Sequence, residues 1–564
     1  MTPVASVEFI PGIEQNYPVI KGQLGEFQVT VWGRPYISGK RLSEIPVSSS
    51  ITQLAKDLDG EWLLAADSEN EFVIANDRFA SIPVFYAAIG NKLYLTTQYS
   101  SLKKRLVDLG AFEIDPEAFF EFFHFQRLFG ESTFDRKSKV LFPSSTLTFD
   151  KLTSLAHPLP YWKPSRSNSQ RSRNGTAEEL AHALKTSMAV KTEDSETVGL
   201  LLSGGMDSRV VLGALDRIPN VDTYTVGNVP NNESKVSAEL ANIAGTGHSF
   251  VSRSDSHYES TFGQNVNTSG GMFSFQHGHF KNLKFGKSQP VVHGHGLDYY
   301  FQGMYLPSRR INWFGRPTAK YKLETPGAKS LQSNYIDSAK YRLKGVDSFS
   351  LLNKPNKAGC RERLLSDLSD VETYSEIDSA NPLDQWDHFT TYAPSRHYTY
   401  LNLLSIDEAH SQSTVTFDNR VLDIYLSTPP EIRFGTQLLA ETTRVLNPRL
   451  LNVRNANTNL NPALSPTGQT LRAWQRGFMR RTGLSSSSAP SPSDRSWPST
   501  HSILKESKVL SCRIQNLGKS ENIDALQIFD LDSISRLVTE YGEGKTEYAP
   551  ALMSLLTIDE FMTQ

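Results

Sequence analysis

The chain has 564 residues, 38% of them apolar and 21% charged, with a formal net charge of -2. A chain of that length needs two or three hydrophobic cores, and the charge balance provides no overall basic field to draw it to nucleic acid. Only two cysteines occur, Cys360 and Cys512, which argues against a disulfide scaffold and fits a reducing cytoplasm. The opening "MTPVASVEFIPG" has neither the basic nor the long apolar region of a secretory signal, and no apolar run approaches a membrane span.

In chain order the first block reads as β-rich. "FQVTVWG", "EWLLAAD", "EFVIAND", "PVFYAAI" and "KLYLTT" are short strand-like runs separated by polar or glycine turns. A polar stretch, residues 163–175, "KPSRSNSQRSRNG", reads as a linker. Next comes "VGLLLSGGMDSRVVLGAL". Residues 198–202 are apolar throughout, as in a central strand of a parallel sheet. Ser203, Gly204 and Gly205 form a tight turn. Asp207 and Ser208 open a helix whose buried face holds Val210, Val211, Leu212 and Leu215. A strand, a glycine turn and a helix N-terminus present N–H groups and a positive dipole end to an anion. No Gly-Lys-Ser/Thr follows, so the turn is not a Walker loop.

Further along, "VDTYTVGNVPNNESKVSAELANIAGTGHSF" gives a strand, a helix-like segment and Gly-Thr-Gly-His. "PVVHGHGLDYYFQGMY" carries a second glycine-flanked loop with Asp298, and "STVTFDNRVLDIYLSTPPEIR" carries Asp418 before an apolar helix-like run. Histidines two apart, His277 with His279 and His293 with His295, could share a strand face as metal ligands. With no carboxylate or cysteine beside either pair, one pair reads as incidental and the other as part of the glycine-flanked loop that carries it. Residues 485–500 are rich in Ser and Pro and read as a second linker or loop. The tail beyond includes the helix-like "IFDLDSISRLVTEYG".

Taken together these motifs resemble the asparagine synthetase family, over about residues 58–462. "LDGEWLLAADSENEFVIANDRFASIPVFYAAIGNKLYLTTQYSSLKK" is similar to its glutaminase half, with Leu58, Asp59, Gly60, Asp77, Arg78, Pro83, Phe85 and Tyr86 in comparable places; Pro143 and Tyr161–Trp162 match its end. "LLSGGMDS" is similar to the Ser-Gly-Gly-x-Asp-Ser loop of N-type ATP pyrophosphatases, Glu233, Gly245, Thr246 and His248 follow in family order, and Gly294, Gly296, Asp298, Phe301 and Gly303 keep the family's next loop.

The resemblance implies an α/β multidomain protein. Residues 1–162 would be a glutaminase-like domain with an Ntn-type α+β sandwich-like fold, and 163–175 a linker. Residues 176–480 would be a parallel-sheet, helix-flanked adenine nucleotide alpha-hydrolase-like (PP-loop) domain, 481–502 a linker or loop and 503–564 a helical tail. It also implies an ATP-dependent, AMP-forming amide ligase. Leu202, Ser203, Gly204, Gly205, Asp207, Ser208, Val226, His293, Gly294 and Gly296 would bind ATP, and Asp207 and Asp298 would hold Mg²⁺.

The sequence also leaves the family's pattern. Where the family has a nucleophilic cysteine after the initiator methionine, Thr2 stands, and no cysteine precedes Cys360, so the glutaminase half is expected to be inactive. His295 replaces the family's glutamate near the incoming nitrogen, which suits a different nucleophile or a more negative substrate, and Tyr299 replaces an acidic residue. Arg454 is the candidate for the missing lysine that stabilises charge during amide formation. Tyr398, between Arg396, His397 and an apolar run, is a candidate base.

The expected partners are a small-molecule or peptide carboxylate and an amine or ammonia. No nucleic acid and no membrane span are expected; the location is cytoplasmic, and a homodimer stays open. Asparagine formation with ammonia, lasso-peptide-type macrolactam cyclisation and amidation of surface-sugar uronic acids are the alternatives within the enzyme class. A catalytically dead nucleotide-binding scaffold is the competing class, and a tRNA-modifying pyrophosphatase is disfavoured.

Overall fold

The computed structural model describes residues 5–166, 171–216, 218–327, 329–338, 342–406, 410–482 and 496–564. Thr2, part of the first polar stretch (167–170) and most of the Ser/Pro-rich one (483–495) lie outside the described residues.

In chain order the N-terminal strands are β1 (Ser6–Ile10), β2 (Val19–Leu24), β3 (Phe27–Ile37), β4 (Lys40–Arg41), β5 (Asp59–Asp67), β6 (Glu71–Asn76), β7 (Phe85–Ile89), β8 (Lys92–Thr96), β9 (Ser138–Val140), β10 (Ser145–Asp150) and β11 (Leu155–Pro160). They form one sheet in the order β1-β8-β7-β9 and another in the order β11-β10-β6-β5-β3-β2, with β4 pairing β3. Alternation along β5 shows how they stack. Leu63 and Ala65 join the core shared with Leu93 and Leu95 of the first sheet. Trp62, Leu64 and Ala66 pack instead with Ile51, Leu54 and Ala55 of the helix Ile51–Asp57. A strand covered on both faces has no polar side to show, which is why "EWLLAAD" is apolar almost throughout.

The outer face of the first sheet, through Phe85, Ala87 and Tyr94, meets the phenylalanine-rich helix Pro116–Phe125. The tail completes that core. Its last helix, Ala549–Thr563, buries Leu552, Met553, Leu555 and Leu556 there, and Phe561 sits 4.8 Å from the Phe134 ring. The helix expected in the tail is present as Leu531–Gly542.

The second half is built on a five-stranded sheet of β12 (Val198–Leu201), β13 (Val221–Gly227), β14 (Gly247–Ser252), β15 (Val291–His293) and, after the hairpin β16 (Ser308–Trp313)–β17 (Arg316–Leu323), β18 (Gln412–Thr414). The order is β14-β13-β12-β15-β18 and every pairing is parallel. Flanking helices include Arg173–Lys191, Asp207–Ala214, Asn232–Ala244 and Gln437–Leu446. The molecule is thus mixed α/β and multidomain, as the sequence suggested. Chain progression runs outward from β12 to β14, then returns to the other side of β12 at β15. In open parallel sheets that reversal opens a crevice at the strands' carboxyl ends, where ligands bind.

The two halves are joined by buried polar groups. Lys191 and Glu61 lie 3.4 Å apart, both essentially excluded from solvent. Glu61 accepts from Thr414 N (3.1 Å) and from the Ser413 hydroxyl. Asp59 accepts from Asn419 N at 2.7 Å. Asp418, the aspartate singled out in the sequence, caps the helix Asn419–Ser427 and accepts from the Tyr36 hydroxyl.

Candidate functional site

The loops leaving β12 and β15 meet at the strand reversal and face a cleft of about 570 Å³. Its wall includes Leu202, Ser203, Asp207, Ser208, Val226, His293, Gly294, His295 and Asp298. Of the residues expected to bind nucleotide, Gly204, Gly205 and Gly296 form the turns behind this wall. A Cβ on Gly204 would come within 2.3 Å of the Ala456 Cβ, so the turn packs directly on the 450s segment. Gly296 has φ 85° and opens the helix Leu297–Phe301, a backbone state that strains other L residues.

Inside the first turn the Ser208 hydroxyl accepts from Ser203 N (3.0 Å) and donates to Ser203 O (2.9 Å), while Gly205 N donates to Ser203 Oγ (3.3 Å). The helix Asp207–Ala214 that follows has no side-chain cap at its N-terminus. Its positive end therefore remains available to an anion in the cleft. Arg209, buried, donates to the carbonyls of Leu450 (3.0 Å), Val453 (2.7 Å) and Arg454 (2.9 Å), which fixes the turn against that segment.

Asp207 and Asp298 are the acidic pair at this junction. Burial raises both carboxyls above the usual range, and the charge of Asp298 raises Asp207 further. Gln302 Nε2 donates to Asp207 Oδ1 at 2.7 Å. Neither carboxylate has a cationic partner among the described residues. Two buried carboxyls, one of them raised further by the other, and neither with a cationic partner among the described residues, would suit a divalent ion. Gln302 went unnoticed in the sequence, although it lies four residues after Asp298, on the same side of the chain in a helical turn.

The histidines are neutral. Burial lowers His293 to about 3 and His295 to about 4. His293 Nδ1 accepts from His295 N (3.3 Å), so its Nε2–H donates to Gln412 Oε1 (2.8 Å). His295 Nε2 has no partner among the described residues, and the ring lies 5.3 Å from Tyr299, edge-on. Beyond it, His397 Nδ1 accepts from Thr399 N (3.3 Å) and lies 2.8 Å from the Tyr299 hydroxyl, while its Nε2 side reaches the Tyr305 hydroxyl. Tyr398 and Thr399 continue that wall. This end is aromatic and polar, without a carboxylate among the residues just named. Neither histidine pair is part of a metal cluster: among the described residues no three His, Cys, Asp or Glu gather to hold an ion.

Arg454 does not line the cleft. Its guanidinium pairs with Glu239 (3.2 Å) and reaches Asn232 and Asn459 (both 3.3 Å), while its carbonyl receives Arg209. The other end of the cleft is closed by residues the sequence had assigned to a linker. Ser496 N donates to Glu233 Oε2 (3.3 Å), and Trp497 stacks on His279 with centroids 4.2 Å apart, beside Phe280. Nothing local in a Ser/Pro-rich stretch signals such a contact.

The chain matches the asparagine synthase family model over residues 179–411. It is 26% identical over 204 residues to asparagine synthetase (glutamine-hydrolyzing) 1 of Bacillus subtilis (strain 168), a stretch covering 36% of this chain and 32% of that protein. The chain thus spans about a third of the length of the curated relative it matches. Over 41% of its length it is similar to a solved allosteric regulatory enzyme of purine biosynthesis, at 10% identity over 62% of that chain, with a TM-score of 0.18. It is similar over the same share to the NMN synthetase of Francisella tularensis, at 14% identity over 97% of that chain, also with a TM-score of 0.18. Likenesses this slight carry no weight for function.

Proposed function

We propose, from the premise that this chain belongs to the asparagine synthetase family through residues 179–411, that it joins a carboxylate to an amine or ammonia by way of an acyl-adenylate. The observation that carries this reading is the meeting of the Ser203–Ser208 turn with Asp298 in one cleft at the sheet's reversal. A carboxylate oxygen of the substrate attacks the α-phosphorus of ATP, and the bond to pyrophosphate breaks. The amine then attacks the acyl carbon, the amide forms, and AMP leaves with its oxygen.

The turn's N–H groups and the uncapped helix end carry phosphate charge. Asp207 and Asp298 would hold Mg²⁺, which supplies neutralisation of the departing pyrophosphate. Gln302 orients Asp207, and the Arg209 brace keeps the turn in place. The PP-loop assignment of this half rests on the same motif, and the Ntn assignment of the other half on its sandwich of two sheets. With no cysteine among residues 1–359, the N-terminal half acts as structure rather than as a source of ammonia.

His295, neutral, with one ring nitrogen on the Pro394 carbonyl and Nε2 unpartnered among the described residues, can accept from a substrate but cannot hold a cation as a carboxylate would. The wall beside it formed by Tyr299, His397, Tyr398 and Thr399, which carries no carboxylate, favours an acid with further hydroxyl or carboxyl groups, such as a uronic acid, over an amino acid whose ammonium needs a counter-ion.

ATP–pyrophosphate exchange with Mg²⁺, run over aspartate, other amino acids, uronic acids and peptides, tests the reading. Exchange that depends on one acid names the substrate. ATP binding with no exchange on any acid, amine present or absent, would make the protein a nucleotide-binding scaffold.

Trp497 stands on the nucleotide side with Val226 and Phe280, and an indole offers a purine a stacking surface. Replacing Trp497 by alanine is expected to cost about 1–2 kcal/mol of ATP binding, read by titration calorimetry. ATP should also quench the fluorescence of the parent and not of the variant. Unchanged affinity would limit Trp497 to packing on His279.

A further inference from the structure

A basic and apolar surface lies outside the cleft. The hairpin β16–β17 contributes Arg309, Arg310, Arg316, Lys320 and Lys322, and the helix Pro466–Arg481 contributes Arg472, Arg476 and Arg481. Neither segment contains an Asp or Glu, in a chain whose net charge is -2. The two form one unit: Trp474 Nε1 donates to Pro317 O (3.2 Å), Ala319 N donates to Thr470 Oγ1 (2.8 Å), and Trp313 meets Trp474 edge-on at 6.3 Å. Among the described residues their side chains make one ion pair, Arg309 with Glu324 at 2.8 Å. The other cations have no acidic partner among the described residues: Arg310 and Arg476 donate to backbone carbonyls and Lys320 lies over the Trp313 ring, so their charge is not neutralised there.

Large apolar side chains stand among these charges. Phe314, at the hairpin turn, is 98% exposed, Phe478 64% and Leu471 56%. Leu471 and Phe478 are seven residues apart and share one face of the helix. A helix with Leu and Phe on one side, arginines around it and no acid has the character of a segment that lies in a membrane interface rather than crossing it. No helix among the described residues is long and apolar enough to cross.

We propose that this unit docks the protein on a lipid bilayer bearing anionic headgroups. Phe314, Leu471 and Phe478 enter the boundary below the headgroups, and the arginines and lysines meet the phosphates. A nucleic acid would use the charges and the rings, but it offers no apolar layer for Leu471, so a bilayer accounts for more of the surface. The unit adjoins the cleft. Met304, on the cleft wall, is four residues before β16, within about 14 Å of chain. Arg476 donates to the carbonyls of Asn459 (2.9 Å) and Thr458 (3.0 Å), next to Asn457 of the wall. Docking brings the cleft mouth beside the lipid surface. This inference stands apart from the ligase reading, because it uses none of the cleft residues.

The test is co-sedimentation of the full chain with phosphatidylcholine vesicles, with and without phosphatidylglycerol, at low and raised salt. The parent is expected to pellet only with the anionic vesicles, and less as salt rises. Lys320→Glu with Lys322→Glu, and separately Phe314→Ser with Phe478→Ser, should each weaken binding about tenfold or more. ATP binding and melting behaviour of these surface variants should stay at parental values. No pelleting with anionic vesicles, or equal pelleting of parent and both variants, overturns the proposal. Retention of single-stranded RNA or polyglutamate without retention of vesicles overturns it in favour of a soluble polyanion.

Discussion

Asp207→Asn is expected to abolish ATP–pyrophosphate exchange, by about 10³-fold or more, and at the same time to stabilise the metal-free protein at neutral and alkaline pH. Both effects come from one cause. Asp207 is held in the interior beside Asp298, where its ionised form is unfavourable, so its folded pKa stands above the unfolded value near 4. A group raised on folding contributes stability that is fully present below the unfolded pKa and lost as pH rises through the folded one. As pH rises from about 4 toward the folded value of about 8 the parent takes on that penalty and the asparagine variant does not, while Gln302 still finds an acceptor on the amide.

A gain of about 2 kcal/mol in urea unfolding at about pH 8, shrinking toward about pH 5, is the expected result without metal. Mg²⁺ with ATP should reverse the order, because only the parent can bind the ion through two carboxylates. A variant that exchanges normally would remove Asp207 from the metal role. One that is destabilised at alkaline pH would show that the carboxylate is satisfied as it stands.

Lys191→Met is expected to be the most damaging substitution away from the cleft. Lys191 Nζ donates to the carbonyls of Thr414 (2.5 Å) and Phe417 (2.8 Å) and faces Glu61 across the junction of the two halves. Removing it strands the Glu61 carboxylate in the interior, a loss of about 3–5 kcal/mol. The damage should also reach the site, since Thr414 Oγ1 donates to the carbonyls of His293 and His295, each at 3.2 Å. Adding Glu61→Gln should recover part of the loss, by about 1–3 kcal/mol, because a neutral pair leaves no orphan charge. Additive losses in the double variant would show that the two residues act separately and that the ion pair contributes nothing.

How much of this was legible depended on the distance over which each feature is encoded. The Ser203–Ser208 turn was read without the fold because strand, turn and helix are contiguous. The apolar run, the glycines and the polar helix start each follow from local backbone rules. The tail helix Leu531–Gly542 was visible for the same reason. Arg454 shows the limit. Its position near the cleft loops was a matter of order along the chain, but its direction is set by Glu239, more than 200 residues earlier. Trp497 was invisible because the surrounding Ser and Pro favour a loop, and only the His279 ring 218 residues away turns it into a wall.

The basic surface was masked for another reason: a net charge of -2 averages over the whole chain, whereas a hairpin and a helix about 150 residues apart concentrate positive charge where they pack. By itself the sequence determined the mixed α/β character, the strand, glycine turn and helix around residues 198–215, and the two aspartates that sit beside glycine turns, since periodicity and turn chemistry act over a few residues. Only the tertiary structure decided which distant side chains face the cleft, which buried charges join the halves and which charges are left over. Burial and pairing are properties of neighbours in space, and those neighbours are chosen by the whole core.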